Sequence, residues 1–331
     1  MLAAKCKLPE AEKIRRILLK KFVYDSTRLT LKEDNYIYFP ILKKVRGITC
    51  VEKKLQKHWR DTDIHSILEG KIPKKLLELV PRALDIIGDI AIIELHEELK
   101  DYYNLVGNAV MLANKQVKVV CRKAGFFEGE YRTRKLEIIA GEKRKETTYT
   151  ESGVRIKLNV ETCYFSPRLS SERIRIARLV RPKESVLVMF SGVGPYTLVI
   201  AKHAKPKEIY AIEINPEAHK YALENLQKNH FKNIHIYKGD VNKVLPKLKK
   251  KFDRIIMPLP MDAAEFLPLA LSYSKKGAII HLYDFENEKD ISELPKKKVK
   301  EKVKKCRILR IVKCGQYSPG KYRICIDIKL L

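Results

Sequence analysis

The sequence lacks the features of a secreted, a membrane-spanning or a zinc-binding protein. Its seven cysteines are scattered and never spaced as Cys-x-x-Cys, which argues against a disulfide framework and against structural zinc. The sequence has no apolar run long enough to span a bilayer, and its first residues lack the long apolar core of a signal peptide. We therefore expect a cytoplasmic protein with free, mostly buried thiols and without a bound metal.

Acidic residues are scarce relative to basic ones. The 331 residues include 68 Lys and Arg but only 40 Asp and Glu, which gives a formal net charge of +28. A hot habitat enriches lysine together with glutamate, but here the acidic residues do not keep pace. A polyanionic partner, RNA or DNA, is therefore the preferred interpretation.

The chain divides into three predicted units. Residues 1–68 form a small first unit that begins with a helix over Ala11–Lys20. Residues 73–159 form a basic α+β unit that ends in a hairpin about Ser152-Gly153. Residues 161–331 alternate apolar strands with helices, which is typical of a doubly wound parallel sheet.

The third unit is predicted to have five parallel strands followed by an antiparallel pair. The strands are expected at about 185–190, 208–213, 233–237, 253–257 and 277–283. After them, Arg307–Val312 and Tyr322–Ile328 flank a loop of Gly, Pro and Ser, which predicts an antiparallel pair at the sheet edge. In the second unit, Gly129–Glu137 is predicted to be a further strand, with Arg132 and Arg134 on one face.

A glycine turn marks a binding site for a nucleoside. The apolar run Val186–Phe190 leads into Gly192 and Gly194, and the next strand ends in Glu213. In α/β sheets, such a turn lets backbone approach the ligand, and the carboxylate binds two ribose hydroxyls. The following strand leads to Asp240, which suits an adenine amino group. Taken alone, Glu213 is better interpreted as an exposed strand-end carboxylate and Asp240 as a helix N-cap. Together and in this order, the glycine turn, Glu213 and Asp240 favour a nucleoside.

The turn is a poor dinucleotide site. The dinucleotide fingerprint requires a third glycine, but Thr197 stands in its place. Pro195 and Tyr196 also crowd the position where a pyrophosphate would bind. S-adenosylmethionine, which has one nucleoside and no phosphate, fits better.

A carboxylate stands close before the first sheet strand. In the segment Tyr164–Ala177, Ser170 or Ser171 is predicted to cap a helix that starts near Glu172. A carboxylate in the first helical turn is favourable on structural grounds alone. Near a cofactor, it is also a candidate general base.

Four motifs together resemble a known family. They are Tyr131–Glu137, Ala140-Gly141-Glu142, Tyr164–Leu169 with Ser171-Glu172-Arg173, and Phe190–Pro195. They resemble the archaeal and eukaryotic tRNA guanosine-37 methyltransferases over about residues 75 to 331. The first unit matches less specifically, in the place of a small domain that touches the outer corner of tRNA. The resemblance implies an α/β fold: a class I (Rossmann-like) methyltransferase sheet with an antiparallel edge hairpin, preceded by α+β RNA-binding domains.

The resemblance also implies an activity and its residues. A monomer would transfer a methyl group from S-adenosylmethionine to N1 of guanosine 37 in the tRNA anticodon loop. Glu172 would be the base, and Arg134 would stabilise the charge on the neighbouring carbonyl oxygen. The implied substrate contacts are Tyr164, Arg173, Met257, Pro258 and Pro260. The implied cofactor contacts are Arg168, Phe190, Gly192, Gly194, Glu213, Ile214, Asp240 and Val241.

The sequence departs from the family at two positions. Val188 stands where the first strand usually has an acid, and Met257 stands where the fourth strand usually ends in an asparagine. Their loss suggests the subgroup that also methylates carbon 7 of 4-demethylwyosine, because a less amide-dependent site would admit a larger base. Alternatively, backbone carbonyls suffice and the substrate is unchanged.

Two further alternatives stay open. One is aminocarboxypropyl transfer from the same cofactor in the wyosine pathway, against which residues 1–68 argue, because such relatives usually lack that unit. The other is a tRNA-binding protein without catalytic activity.

Overall fold

The computed structural model describes residues 1–21, 23–25, 28–56, 63–125, 127–259 and 263–331. The chain folds into two compact units, Met1–Ile72 and Pro73–Leu331. The first unit thus extends slightly beyond the predicted residue 68, and the division near residue 160 stays a prediction. None of the helices in the described ranges combines the length and the apolar character that a bilayer-spanning segment needs.

The first unit is a small antiparallel sheet with one long helix. The sheet has the order β2-β3-β1-β4. The predicted helix over Ala11–Lys20 is confirmed, and Leu18 is its buried residue, packed against sheet residues such as Phe39. The elements are β1 Leu2–Lys7, α1 Ala11–Lys20, β2 Leu31–Glu33, β3 Tyr36–Pro40, β4 Cys50–Glu52 and α2 Ile64–Leu68.

The second unit begins with a four-stranded mixed sheet and a hairpin. The sheet has the order β5-β6-β7-β8, and β9 pairs with β10 about the turn at Ser152-Gly153, as the sequence predicts. Both turn residues have positive φ, +45° and +74°. The elements are α3 Lys74–Leu77, β5 Asp85–Ile87, β6 Ile90–Ile93, α4 Tyr103–Ala113, β7 Val119–Lys123, β8 Leu136–Gly141, β9 Glu146–Glu151 and β10 Val154–Asn159.

The strand predicted over Gly129–Glu137 is wrong for most of its length. Strand β8 begins only at Leu136. Before it, the chain turns at Gly129 and Arg132, whose φ angles are +70° and +50°. The amide of Arg132 donates to the carbonyl of Gly129 at 3.1 Å. Arg132 and Arg134 therefore do not share a strand face.

A seven-stranded sheet forms the rest of the second unit and confirms the predicted fold. Its order is β13-β12-β11-β14-β15-β17-β16, parallel from β13 to β15 and antiparallel at the β17 and β16 edge. The elements are α5 Ser170–Leu179, β11 Ser185–Met189, α6 Pro195–His203, β12 Glu208–Glu213, α7 Pro216–Asn229, β13 Ile234–Lys238, α8 Val241–Leu248, β14 Phe252–Met257, α9 Leu267–Ser272, β15 Ser274–Asn287, α10 Leu294–Lys302, β16 Cys306–Ser318 and β17 Lys321–Leu330.

The apolar run in β11 follows from burial on both sheet faces. Val186 and Val188 belong to one core cluster, whereas Leu187 and Met189 belong to another. Successive side chains point to opposite faces of a strand, so a central parallel strand between two helical layers is apolar throughout. The strand therefore holds the turn that follows it in a fixed position.

Gly141 provides a test of close backbone packing at the end of β8. Its φ is +86°, and a Cβ there would lie 2.0 Å from the carbonyl oxygen of Lys118. We expect Gly141→Ala to lower the free energy of unfolding by about 2 kcal/mol more than Gly277→Ala does, measured by denaturant unfolding. Gly277 is the matched control, because its φ is +75° but a Cβ there would have no neighbour within 4 Å among the described residues. Equal losses for the two variants would contradict this interpretation.

Candidate functional site

A cavity lies at the carboxyl ends of the parallel strands. Its volume is about 230 Å³. Ligands of open α/β sheets bind at this edge, outside the carboxyl ends of the strands. Eight of the residues singled out from the sequence border this cavity: Tyr164, Phe190, Gly192, Glu213, Ile214, Asp240, Val241 and Pro258.

The turn after β11 is built from left-handed backbone. Phe190, Gly192 and Gly194 have φ angles of +58°, +56° and +87°. For Phe190 this conformation is strained, and its ring packs edge-on against Phe266 at 4.9 Å. Gly194 is the N-cap of α6, followed by Pro195, but it does not border the cavity. Gly194 therefore shapes the turn, whereas Phe190 and Gly192 face the ligand space.

The carboxylate of Glu213 joins two turns. It accepts hydrogen bonds from the amide of Gly192 at 2.6 Å and from the amide of Asn215 at 2.8 Å. Glu213 is only 7% exposed, which excludes the interpretation as an exposed strand-end carboxylate. Burial raises the pKa of Glu213, and the backbone amides oppose that rise. The carboxylate thus fixes the loops after β11 and β12 beside the cavity.

Asp240 caps helix α8 and also borders the cavity. It is the N-cap of α8, because its Oδ1 accepts a hydrogen bond from the amide of Asn242 at 2.9 Å. It also borders the cavity. The side-chain amide of Asn242 donates to the same oxygen. Within the described residues Oδ2 has no hydrogen-bond partner, so it can accept from an exocyclic amino group.

Glu172 lies in the first turn of α5, as predicted, but its surroundings differ from the prediction. The prediction that Ser170 or Ser171 caps this helix is wrong. Leu169 occupies the N-cap position and makes no side-chain hydrogen bond. The carboxylate accepts from Nε and Nη2 of Arg175 at 2.6 and 2.7 Å, and from the hydroxyl of Tyr283 at 2.6 Å. It is 3% exposed and does not border the cavity. Glu172 is thus buried and held in place by charged and polar neighbours.

A buried polar network continues from Arg175. Its Nη1 donates to Asp327 at 2.7 Å, and Asp327 in turn lies 2.6 Å from Nδ1 of His281. Arg254 has only donors and lies 2.7 Å from Nε2 of His281, so the histidine proton must be on Nδ1. Burial lowers the pKa of His281, which is consistent with a neutral ring. Arg254 also forms an ion pair with Glu184, which completes the network.

Arg134 is connected to the cavity through aromatic rings. Its guanidinium carbon lies 3.5 Å from the ring centroid of Phe127, and that ring packs edge-on against Tyr164 at 5.4 Å. Burial lowers the pKa of Arg134, although an arginine remains charged at physiological pH. Tyr164 borders the cavity and accepts a hydrogen bond from Arg323 at 2.7 Å.

Three other predicted site residues, Arg168, Arg173 and Met257, do not border the cavity. Arg173 is buried, and both its Nε and Nη2 donate to Glu151 at 2.5 Å. Arg168 is exposed and donates to Asp85 at 2.7 Å, away from the cavity. Met257 is completely buried in a core cluster. The ligand contacts assigned to these three residues remain predictions without support from this geometry, and Pro260 lies outside the described residues.

The two unusual positions of the sequence, Val188 and Met257, both lie in the core. Val188 is completely buried and packs in the core, so it does not border the cavity. After the end of β14, Pro258 and Leu259 border the cavity, one and two positions after Met257. A proline offers neither a side-chain amide nor a backbone N–H. The strand end therefore presents the cavity with no donor from residue 258.

Sequence reasoning missed Phe266, Phe127 and Arg323. Phe266 borders the cavity and supports Phe190, while Phe127 and Arg323 both contact Tyr164. No local motif marks them. They reach the site from segments that are distant in sequence, so only the pairing of those segments reveals them.

Family models match three parts of this chain. Residues 147–311 match the TRM5/TYW2 methyltransferase domain. Residues 64–144 match the TYW2 N-terminal domain, and residues 5–49 match the tRNA methyltransferase 5 N-terminal domain.

Two curated relatives are similar over most of their length. The tRNA (guanine(37)-N(1))-methyltransferase Trm5b of Pyrococcus abyssi is 39% identical, over 99% of this chain and 99% of its own. The tRNA (guanine(37)-N(1))/4-demethylwyosine(37)-methyltransferase Taw22 of Nanoarchaeum equitans is 36% identical, over 75% of this chain and 99% of its own.

Two solved structures are informative about ligands. The complex of aTrm5 with tRNALeu has a TM-score of 0.72 and 31% identity, and the match covers 100% of both chains. TYW2 of M. jannaschii in complex with AdoMet has a TM-score of 0.57 and 26% identity, over 75% of this chain and 98% of that chain.

The Glu213 carboxylate gives a testable expectation for cofactor binding. In Glu213→Gln, the amide NH₂ would face one of the backbone donors, Gly192 or Asn215, and only one oxygen would be left to accept. We expect the Kd for S-adenosylmethionine, measured by calorimetry, to rise at least about tenfold. Glu217→Gln, at an exposed position in the first turn of α7, is the control and should bind normally. A normal Kd for Glu213→Gln would exclude the ribose role.

Proposed function

This chain belongs to the TRM5/TYW2 methyltransferase family, and from that premise we propose that it methylates N1 of guanosine 37 in the anticodon loop of tRNA. The carrying observation is the 39% identity to Trm5b over 99% of both chains. The net charge of +28 suits a tRNA partner. We further propose that the protein acts in the cytoplasm as a monomer.

The matched TRM5/TYW2 domain is a methyltransferase domain, and the cavity residues suit S-adenosylmethionine as its methyl donor. Glu213 offers a buried carboxylate to the ribose hydroxyls, and Asp240 offers the unpaired Oδ2 to the adenine amino group. Gly192, with φ +56°, allows the backbone to approach the ligand closely. When bound, S-adenosylmethionine supplies an activated methyl group. The protein then needs mainly to align that group with the acceptor nitrogen.

Glu172 is proposed as the base that removes the N1 proton of guanine. A protonated ring nitrogen is a poor nucleophile, and a carboxylate within hydrogen-bond reach can make it reactive. Because the Glu172 carboxylate already accepts from Arg175 and Tyr283, the N1–H group must join or replace one of these donors when tRNA binds. Arg175 would keep the carboxylate oriented during that exchange.

Arg134 is proposed to stabilise the carbonyl oxygen of the target base. Removal of the N1 proton leaves negative charge on the neighbouring oxygen, and a fixed cation lowers the energy of that state. The stacking of Arg134 on Phe127, next to Tyr164, supports this role because it places a desolvated guanidinium close to the cavity. Tyr164 itself offers a ring on which the target base can stack.

Glu172→Gln tests the base assignment. The amide has nearly the same shape but cannot take the proton, so we expect the rate constant of the methyl-transfer step to fall about 100-fold or more. The Kd for S-adenosylmethionine should stay normal. The measurement is methyl transfer from labelled cofactor under single-turnover conditions, with Glu217→Gln as the matched control. An unchanged rate would contradict the assignment.

A second candidate activity is methylation of carbon 7 of 4-demethylwyosine at the same tRNA position. This activity is favoured by Pro258, because that residue borders the cavity and offers no hydrogen-bond donor. A larger tricyclic base then meets no amide from residue 258 that would select for guanine. The similarity to Taw22, whose name gives both substrates, supports the proposal.

Nucleoside analysis of two tRNA substrates decides between the candidate activities. One tRNA is unmodified at position 37, and the other carries 4-demethylwyosine there. We expect a mass gain of one methyl on both, because neither base depends on an amide at residue 258. A gain on the unmodified tRNA alone would restrict the activity to guanosine. An aminocarboxypropyl gain, or no gain on either, would overturn the methyltransferase proposal.

A further inference from the structure

A row of aromatic and arginine side chains leads outward from the cavity. Tyr164 borders the cavity and accepts a hydrogen bond from Nη2 of Arg323 at 2.7 Å. The guanidinium carbon of Arg323 lies 5.1 Å from the ring centroid of Phe285. The ring of Phe285 contacts that of Tyr317, with the centroids 4.3 Å apart. We call these four residues the aromatic row.

The antiparallel edge of the sheet assembles the aromatic row. Phe285 on β15 pairs directly with Arg323 on β17, and Arg323 pairs on its other side with Gly315 on β16. Gly315 has no side chain that would cover Arg323. The register shifts between Gln316 and Ser318, so Tyr317 lies in a bulge between them. Bulges redirect side chains, and here the bulge accompanies a tyrosine that lies on Phe285.

The outer end of the aromatic row is exposed, whereas the ring beneath it is buried. Tyr317 is 55% exposed, but Phe285 beneath it is only 9% exposed. A large exposed ring at a hairpin tip gains little for folding, since most of its surface remains in water. One face of Tyr317 is thus held by Phe285 and the remaining surface is available to a ligand.

The polar groups around the aromatic row point to an RNA ligand. The Nε atom of Arg323 is buried and has no hydrogen-bond partner among the described residues. Arg134 lies close enough to Tyr317 for electrostatic interaction. Single-stranded RNA is bound by stacking of its bases on aromatic rings and by arginines that contact base edges or phosphates. An apolar protein partner would leave both guanidinium groups desolvated without a counter-charge.

We propose that Tyr317 is a stacking site for a nucleobase that neighbours the methylated one in the anticodon loop. The target base enters the cavity beside Tyr164, and an adjacent base stacks on Tyr317. Arg323, between the two rings, contacts the connecting backbone or a base carbonyl. This site rests on the proposed function for its ligand, and it explains why an exposed tyrosine is supported by a buried phenylalanine.

Fluorescence of a modified tRNA tests the stacking directly. Two tRNA transcripts carry 2-aminopurine, one on the 5′ side and one on the 3′ side of nucleotide 37. We expect the full-length protein to quench at least one of them, and Tyr317→Phe to do the same, because it keeps the ring. Tyr317→Ala should lose that quenching. Leu309→Ala is the matched control, because Leu309 is 47% exposed on the same strand but outside the aromatic row.

Methylation kinetics give an independent measurement. We expect Tyr317→Ala to raise KM for tRNA roughly tenfold, with the Kd for S-adenosylmethionine and the melting temperature unchanged. Tyr317→Phe and Leu309→Ala should stay near the wild-type KM.

Two results would overturn the stacking proposal: quenching that persists in Tyr317→Ala, or losses in Tyr317→Phe equal to those in Tyr317→Ala. Failure of the proposed function is distinguishable, since wild-type protein would then bind and quench tRNA without methylating it.

Discussion

The double contact of Arg175 with Glu172 and Asp327 is the interaction on which the arrangement of the candidate active site depends. It connects α5, which precedes the parallel sheet, to β17, the antiparallel strand inserted near its edge. Buried charges are tolerated only when they are paired, and loss of one partner typically costs about 3–5 kcal/mol. Helix α5 and strand β17 are therefore held in one relative position. The proposed base is fixed by the same contact that stabilises the sheet edge.

The cofactor cavity depends on a different kind of constraint, a series of left-handed backbone angles. Phe190 and Gly192 both have positive φ, and the Glu213 carboxylate holds the amide of Gly192 in this conformation. For Phe190 the strain is offset by packing against Phe266. The turn of the cofactor site is thus already formed and hydrogen-bonded, and a preformed site loses less entropy on binding.

Local patterns predicted the strands, the glycine turn and the cavity residues Glu213 and Asp240, because each is determined by a few neighbouring residues. They give no information where pairing between distant segments decides. The substrate contact of Arg173 stays a prediction, and its pairing with Glu151 on a separate hairpin was not visible in the local pattern. Met257, the last residue of β14, is buried in the core, whereas Pro258 and Leu259, which follow the strand, border the cavity. The aromatic row requires the register of three strands, which no short motif contains.

Pro258 has a consequence for how the target base is selected. A site that hydrogen-bonds a base edge rejects analogues without that edge, because its own polar groups would stay unpaired. Residue 258 offers no such donor, so in the proposed mechanism selection rests on Glu172, Arg134 and the aromatic rings. Ring stacking depends on area and tolerates different bases, whereas the roles proposed for Glu172 and Arg134 concern a proton and developing charge. A tricyclic base offers more stacking area than guanine, and the proposed site would therefore accept both bases at one tRNA position.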